Sequence, residues 1–166
     1  MLPDSILKTE NEISFLAKEP QRYALQKVYV SWGQERNINA GDIVLFYRTG
    51  DEGTSKKYSS VLTTVCIIDE IQRNFTTKDE FLRHCQNRSV FSTEELNAFW
   101  NNHRYGLTVL KFIFIKSFTH RPILGFLWDN NIVEGGKGPR PFTCITDSQF
   151  EMIIREARSD LSKYWR

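Results

Sequence analysis

The sequence predicts an α+β fold, with short helices set round a compact curved or barrel-like sheet, and three observations lead there. Segments rich in β-branched and aromatic residues recur along the chain, capped helix starts fall between some of them, and no regular strand–helix–strand alternation links them. A doubly wound parallel sheet is therefore disfavoured. The 166 residues are 40% hydrophobic and 25% charged, enough apolar side chain for one core of ordinary domain size.

The opening Met1–Pro20 is polar and mixed, with Ile6, Ile13 and Leu16 at helix-compatible positions, and reads as a lead-in segment ending at Pro20. Arg22–Trp32 contains Lys27-Val28-Tyr29-Val30-Ser31-Trp32, a strand pattern with a sharp exit at Gly33, and Asn37–Gly41 is turn chemistry. Asp42–Thr49 holds Ile43, Val44, Leu45, Phe46 and Tyr47 in succession, which predicts a strand buried on both faces or nearly so. The stretch from Thr49 to Lys57 is expected to be a mobile loop. Tyr58–Gln72, rich in Val, Thr and Ile, predicts a third strand paired with its predecessor.

Thr76-Thr77-Lys78-Asp79-Glu80 combines hydroxyl caps with first-turn acids, a helix start, and Ser92-Thr93-Glu94-Glu95 adds an N-cap with a capping-box glutamate. Leu107–Thr119 is the strongest strand signal, and Pro122 ends it. A short helix is expected over Ile123–Asn130 with Leu124 and Leu127 inward, then a turn-rich stretch to Pro139. Phe142–Ile145 reads as a short strand, and Thr146 caps a final helix that buries Phe150, Ile153 and Ile154. Everything beyond Ala157 is expected to be peripheral. The domain thus runs over residues 21–157, with a lead-in at 1–20 and a basic tail at 158–166.

Several functional classes are excluded by what the residues lack. No apolar run approaches the roughly 18 residues of a membrane-spanning helix, and no basic-then-apolar leader opens the sequence. Cys66, Cys85 and Cys144 are odd in number and widely spaced, with neither a C-x-x-C pair nor histidines at ligand spacing, so no disulfide framework or zinc site is expected. A reducing cytoplasm fits best, with no metal or organic cofactor. Gly135-Gly136-Lys137-Gly138 lacks the strand-before, helix-after context of a phosphate loop, and no Gly-x-Ser-x-Gly elbow is present. His84, His103 and His120 are remote in sequence from plausible nucleophiles, and the cysteines fit better as small buried hydrophobes than as partners of a Cys–His site.

The net charge of +2, from 22 basic and 20 acidic residues, does not diagnose a nucleic-acid partner. Its distribution is more informative: Asn101–Thr119 carries Arg104, Lys111 and Lys116 and no acid. The 12 Phe, 6 Tyr and 4 Trp exceed the needs of a small core, and several stand at strand ends. Trp32 follows Ser31 at the end of the first strand, and Tyr47-Arg48-Thr49 closes the second. Were those ends neighbours, an indole, a phenol, a guanidinium and two hydroxyls would meet in one cleft suited to a flipped or single-stranded base. The packing alternative has Trp32 and Tyr47 closing the core with their polar tips at its rim. Trp100 and Trp128 fit the packed faces of amphipathic helices, and Trp165 fits a terminal contact. Arg88 and Arg140 precede apolar residues in loops and suit either phosphate binding or helix-carbonyl capping and acid pairing.

Three stretches together resemble the PUA-like superfamily: Lys27–Trp32, the run Asn39-Ala40-Gly41-Asp42-Ile43-Val44-Leu45-Phe46-Tyr47-Arg48-Thr49, and Tyr58-Ser59-Ser60-Val61 leading to Asp69-Glu70-Ile71. The likeness is to its ASCH and EVE branches and to the PUA-like module at the C-terminus of some GNAT-type acetyltransferase proteins. Asn87–Ser92 and Phe142–Thr146 add shorter similarities, so the likeness spans Gln21 to Ile154. The resemblance implies a pseudobarrel of about five to six mixed strands with short peripheral helices, and an RNA, single-stranded DNA or modified-base ligand. The cleft it implies is lined by Ser31, Trp32, Tyr47, Arg48 and Thr49. No third aromatic matches the cage of methyl-adenine readers. Some ASCH relatives are hydrolases using a lysine, a threonine and a glutamate, and Lys27, Thr49 and Glu70 are the candidates here, with Lys27 as nucleophile or base and Glu70 moving the proton. A third expectation is a protein-interaction module with an acetyltransferase-type partner.

Overall fold

The computed structural model describes residues 26–31, 37–85, 89, 91–140 and 142–164. The expected lead-in segment, the start of the first strand, Trp32, Arg88 and Trp165 lie outside these. Four strands, β1 (Gln26–Ser31), β2 (Ile43–Arg48), β3 (Val61–Arg73) and β4 (Thr108–Ser117), form an antiparallel sheet in the order β1-β4-β3-β2. The pairing of β1 with β4 runs from Gln26 opposite Ile113 to Ser31 opposite Thr108. Five helices accompany the sheet: α1 (Lys56–Ser59), α2 (Lys78–Cys85), α3 (Thr93–His103), α4 (Leu124–Asp129) and α5 (Asp147–Glu156), before a closing 3-10 turn at Ser162–Tyr164.

The predicted helix starts form through local hydrogen bonds. At α3 the Ser92 hydroxyl accepts from Glu95 N at 3.2 Å while Ser92 N donates to the Glu95 carboxylate at 3.0 Å. Thr146 and Gln149 repeat the arrangement at α5. At α2 the Thr77 hydroxyl accepts from Glu80 N, and the Glu80 carboxylate accepts from both N and Oγ1 of Thr76. Each side chain satisfies a donor that the first helical turn leaves without a partner.

Other expectations are corrected. Phe142–Ile145 is not a strand: Phe142 has φ +53, in the left-handed region, and the Arg140 carbonyl accepts from both N and Oγ1 of Thr143 in a turn. Among the described residues the sheet therefore has four strands against the five or six expected, and the parallel partner of the expected mixture is confined to the single bridge Val28–Ser89. Strand β2 is half-buried, not enclosed on both faces, because it ends the strand order, and Ile43 is 40% exposed. The expected loop is present over residues 49–55, but the expected start of the third strand at Tyr58 and Ser59 belongs instead to α1, whose first turn closes with Tyr58 N and Ser59 N donating to the Ser55 carbonyl. Leu161 is buried despite its polar neighbours, so the chain beyond Ala157 still contributes to the core.

The chain forms two compact units. Among the described residues, one takes Leu45–Val65 and those of Ile115–Arg166, and the other takes those of Lys8–Val44 and of Cys66–Phe114. The first has an aliphatic core of Leu62, Val65, Leu124, Leu127, Ile132, Ile153 and Leu161 with Phe118. The second packs Val28, Val30 and Val109 against Phe75, Phe81, Phe91 and Trp100. In that second unit the expected Gly-Asp turn precedes β2: Gly41 takes φ +93, Gly41 N donates to the Ile68 carbonyl at 2.7 Å, and the Asp42 carboxylate accepts from Asn39 N. A side chain at position 41 would be strained by that backbone conformation.

Candidate functional site

The end of β2, within the aliphatic unit, gathers the largest share of the expected site residues. Tyr47 packs its half-buried ring against the aliphatic core, and its hydroxyl hydrogen-bonds the side chains of Ser60 and Thr49. Burial pushes the Tyr47 phenol above its ordinary pKa, and these two hydrogen bonds partly offset the rise. The ring therefore stays neutral and able both to donate and to accept at physiological pH.

Ser60, fully buried, ties this group to the loop that follows β2. Its hydroxyl accepts from Gly50 N at 2.9 Å. Gly50 packs so closely on α1 that a Cβ there would lie 1.8 Å from Ser59 Oγ, so the close approach requires glycine. Lys56 Nζ donates to the Gly50 and Asp51 carbonyls, and Thr54 and Ser59 share a hydroxyl–hydroxyl hydrogen bond of 2.8 Å. Nearby, buried Thr63 donates to the Phe46 carbonyl. The outcome is a rigid, hydroxyl-rich strand end whose lysine is spent on backbone carbonyls.

Arg48 and Arg140 are placed differently from Lys56. Arg48 and Arg140 make no side-chain hydrogen bond or ion pair with the described residues. Arg140 is exposed, and the turn that its carbonyl forms with Thr143 holds its backbone. The same loop passes Tyr47: a Cβ on Gly138 would lie 3.6 Å from the Tyr47 hydroxyl. Farther along, the Trp128 indole donates to the Lys137 carbonyl at 2.7 Å, and Lys137 pairs with Glu134. The glycine-rich stretch is thereby a fixed turn.

The remaining expected residues fall in the aromatic unit. Ser31 is buried on β1, opposite the equally buried Thr108. Lys27 is half-buried on β1 opposite Phe112. Glu70 takes an ion pair with Lys111, while His84 lies 3.8 Å from its other oxygen. Lys27 and Glu70 thus belong to one unit and Thr49 to the other. Trp32 and Arg88, the two further residues of the expected interface, lie outside the described residues.

The sequence did not show the pairing of Lys111 and His84 with Glu70, nor the hydrogen bonds of Ser60 and Lys56. Lys111 alone carried a signal, as a lysine within the most apolar strand, where a half-buried ammonium needs a counter-charge. Ser60 carried none, because its partners lie 10 residues away at Gly50 and on the neighbouring strand.

Burial pushes the Cys85 thiol up to about 12, so it is a packing group and not a nucleophile. Among the described residues no cluster of His, Cys, Asp or Glu is placed to hold a metal ion, and no helix is long and apolar enough to cross a membrane. No family model, curated protein or solved structure matches the chain.

Proposed function

We propose that the chain is a nucleic-acid-binding module with a PUA-like pseudobarrel fold, which takes RNA or a single-stranded or modified DNA base at the end of β2. One observation carries this reading. A ring with a hydrogen-bonded polar edge, Tyr47, is followed directly by Arg48, whose guanidinium has no partner among the described residues. A base presents a π-face for the ring and polar edges for hydroxyls, and its phosphate matches a guanidinium. The left-handed Gly41 turn feeding β2 adds support, since it supplies the Gly-Asp feature on which the resemblance rests.

The test is fluorescence anisotropy with labelled single-stranded RNA and DNA, with and without modified bases, at two salt concentrations. Affinity is expected to fall as salt rises, because arginines displace counterions from phosphates. In Arg48→Ala, binding should weaken for every sequence and the salt slope should fall by about one. Tyr47→Ala, Trp32→Ala and Arg140→Ala complete the series, each checked for folding by circular dichroism. Failure of every probe to bind, or unchanged affinity in folded Arg48→Ala and Tyr47→Ala, would overturn the reading.

A further inference from the structure

The aromatic unit carries a second surface of a different kind, at the end of α3. A series of ring contacts leads from its core outward. Phe75 meets Phe81 edge-on at 5.4 Å, Phe81 stacks on Trp100 at 5.9 Å, and the Arg104 guanidinium lies 5.8 Å from the Trp100 ring and 4.7 Å from that of Tyr105. Phe81 and Trp100 are buried, whereas Tyr105 is 88% exposed. Gly106 N donates to the His103 carbonyl and closes the turn that presents Arg104 and Tyr105.

Two features of this turn point to a ligand. Exposing a tyrosine ring leaves apolar area in water that a flat partner would remove. Arg104, meanwhile, has the two rings as its partners among the described residues and makes no ion pair or hydrogen bond there, so its N–H donors are unspent. Because the guanidinium sits over an indole anchored in the core, part of its side-chain freedom is already restricted before binding. The C-terminal end of α3 contributes about half a negative charge. The full positive charge of Arg104 exceeds this, and Asn101–Thr119 contains no acid to oppose it.

We propose that the Arg104–Tyr105 turn is a stacking platform for one base of a single-stranded nucleic acid, with the Tyr105 ring against the base and Arg104 on the flanking phosphate. A single strand is the fitting partner because duplex bases already cover one another's faces, whereas an unpaired base offers its π-face whatever its identity. The platform deepens the nucleic-acid reading of the chain and rests on it only for the class of ligand, since it shares no residue with the end of β2.

The experiment uses the full chain with fluorescein-labelled oligouridylate and oligothymidylate, read by anisotropy. In parallel, the same oligomers carrying 5-iodouracil are photocrosslinked and the attachment site is mapped by mass spectrometry. Tyr105→Ala should weaken binding about tenfold, and Tyr105→Phe, which keeps the ring, should restore it. Arg104→Ala should weaken binding most at low salt, and the crosslink should map to Tyr105. Unchanged affinity in Tyr105→Ala, or the absence of any crosslink at Tyr105, overturns the platform. If Arg48→Ala loses binding while Tyr105→Ala does not, the site on β2 stands and the platform falls; the converse result leaves the platform and removes the site on β2. Absence of binding by the parent protein removes both.

Discussion

In the unit that contains α2 and α3, ring packs on ring from Phe75, edge-on, to Trp100, stacked, while in the unit that contains α4 and α5 the interior is mostly Leu, Ile and Val. Their polar groups differ in parallel. The aromatic unit matches a half-buried lysine with a carboxylate, Lys111 with Glu70, whereas the aliphatic unit satisfies buried hydroxyls with backbone groups and leaves Arg48 and Arg140 without partners among the described residues. The contrast teaches how each kind of core supports an exposed polar surface. Packed rings hold a guanidinium over their outer members, as at Arg104. A hydroxyl network instead holds the backbone, which leaves the arginines of the same segment available.

The largest effect should come from the ring stack. Phe81→Ala removes a fully buried ring and should cost about 3–5 kcal/mol in urea denaturation, against about 2–4 kcal/mol for Leu127→Ala in the aliphatic core. A greater loss at Leu127 would break the comparison. Next is Ser60→Ala, which leaves buried Gly50 N–H without its acceptor and should cost about 1–3 kcal/mol. Glu70→Ala should cost less, about 1–2 kcal/mol, because the Glu70 side chain is 43% exposed and water screens the pair, while Lys111→Met should be close to neutral. If Glu70→Ala proves the more damaging of the two, the ion pair and not the hydroxyl network is the more costly polar group to break.

The two capping boxes offer a matched test, one in each unit. Ser92→Ala and Thr146→Ala should each lower stability by about 1 kcal/mol, since each removes the hydroxyl that accepts from the backbone N–H of Glu95 or Gln149 and leaves the reciprocal bond in place. The smallest effect concerns pH. Hydrogen bonds from Thr76 N and Oγ1, followed by that from Thr77 and the charge of His84, hold the Glu80 carboxyl below its ordinary value. A lowered folded pKa means stability that is present above the ordinary value of 4.5 and is lost as pH falls through the lower, folded value. Melting curves over that acidic range should therefore separate the parent protein from Glu80→Gln, with the parent losing more on acidification.

Strands β1 to β4 and the capped helices α2, α3 and α5 were legible because their signals lie within a few residues of one another. The same holds for Leu124 and Leu127, which are buried on α4 as their spacing indicates. The segments that misled were those where the wider chain overrode the pattern. Phe142-Thr143-Cys144-Ile145 has strand composition, yet the left-handed backbone at Phe142 and the turn on Arg140 exclude it from the sheet. Conversely Lys56–Ser59 has no apolar periodicity, and its helical turn is held by Ser55, Gly50 and Ser60. For the candidate site, Tyr47, Arg48 and Thr49 were visible as a polar end to an apolar strand. Their connection to Ser60 was not.

By itself, the sequence determined the α+β class, the places where helices start and the identity of most strands, because caps, turns and side-chain alternation act over two to four residues. The tertiary structure alone decided the strand order β1-β4-β3-β2, the half-exposure of β2, the burial of Leu161, and the pairing of Glu70 with Lys111 across 41 residues. Those features arise when distant segments are brought together against the entropy of closing the intervening chain, and which contacts repay that cost depends on the whole packed core and not on any local run of residues.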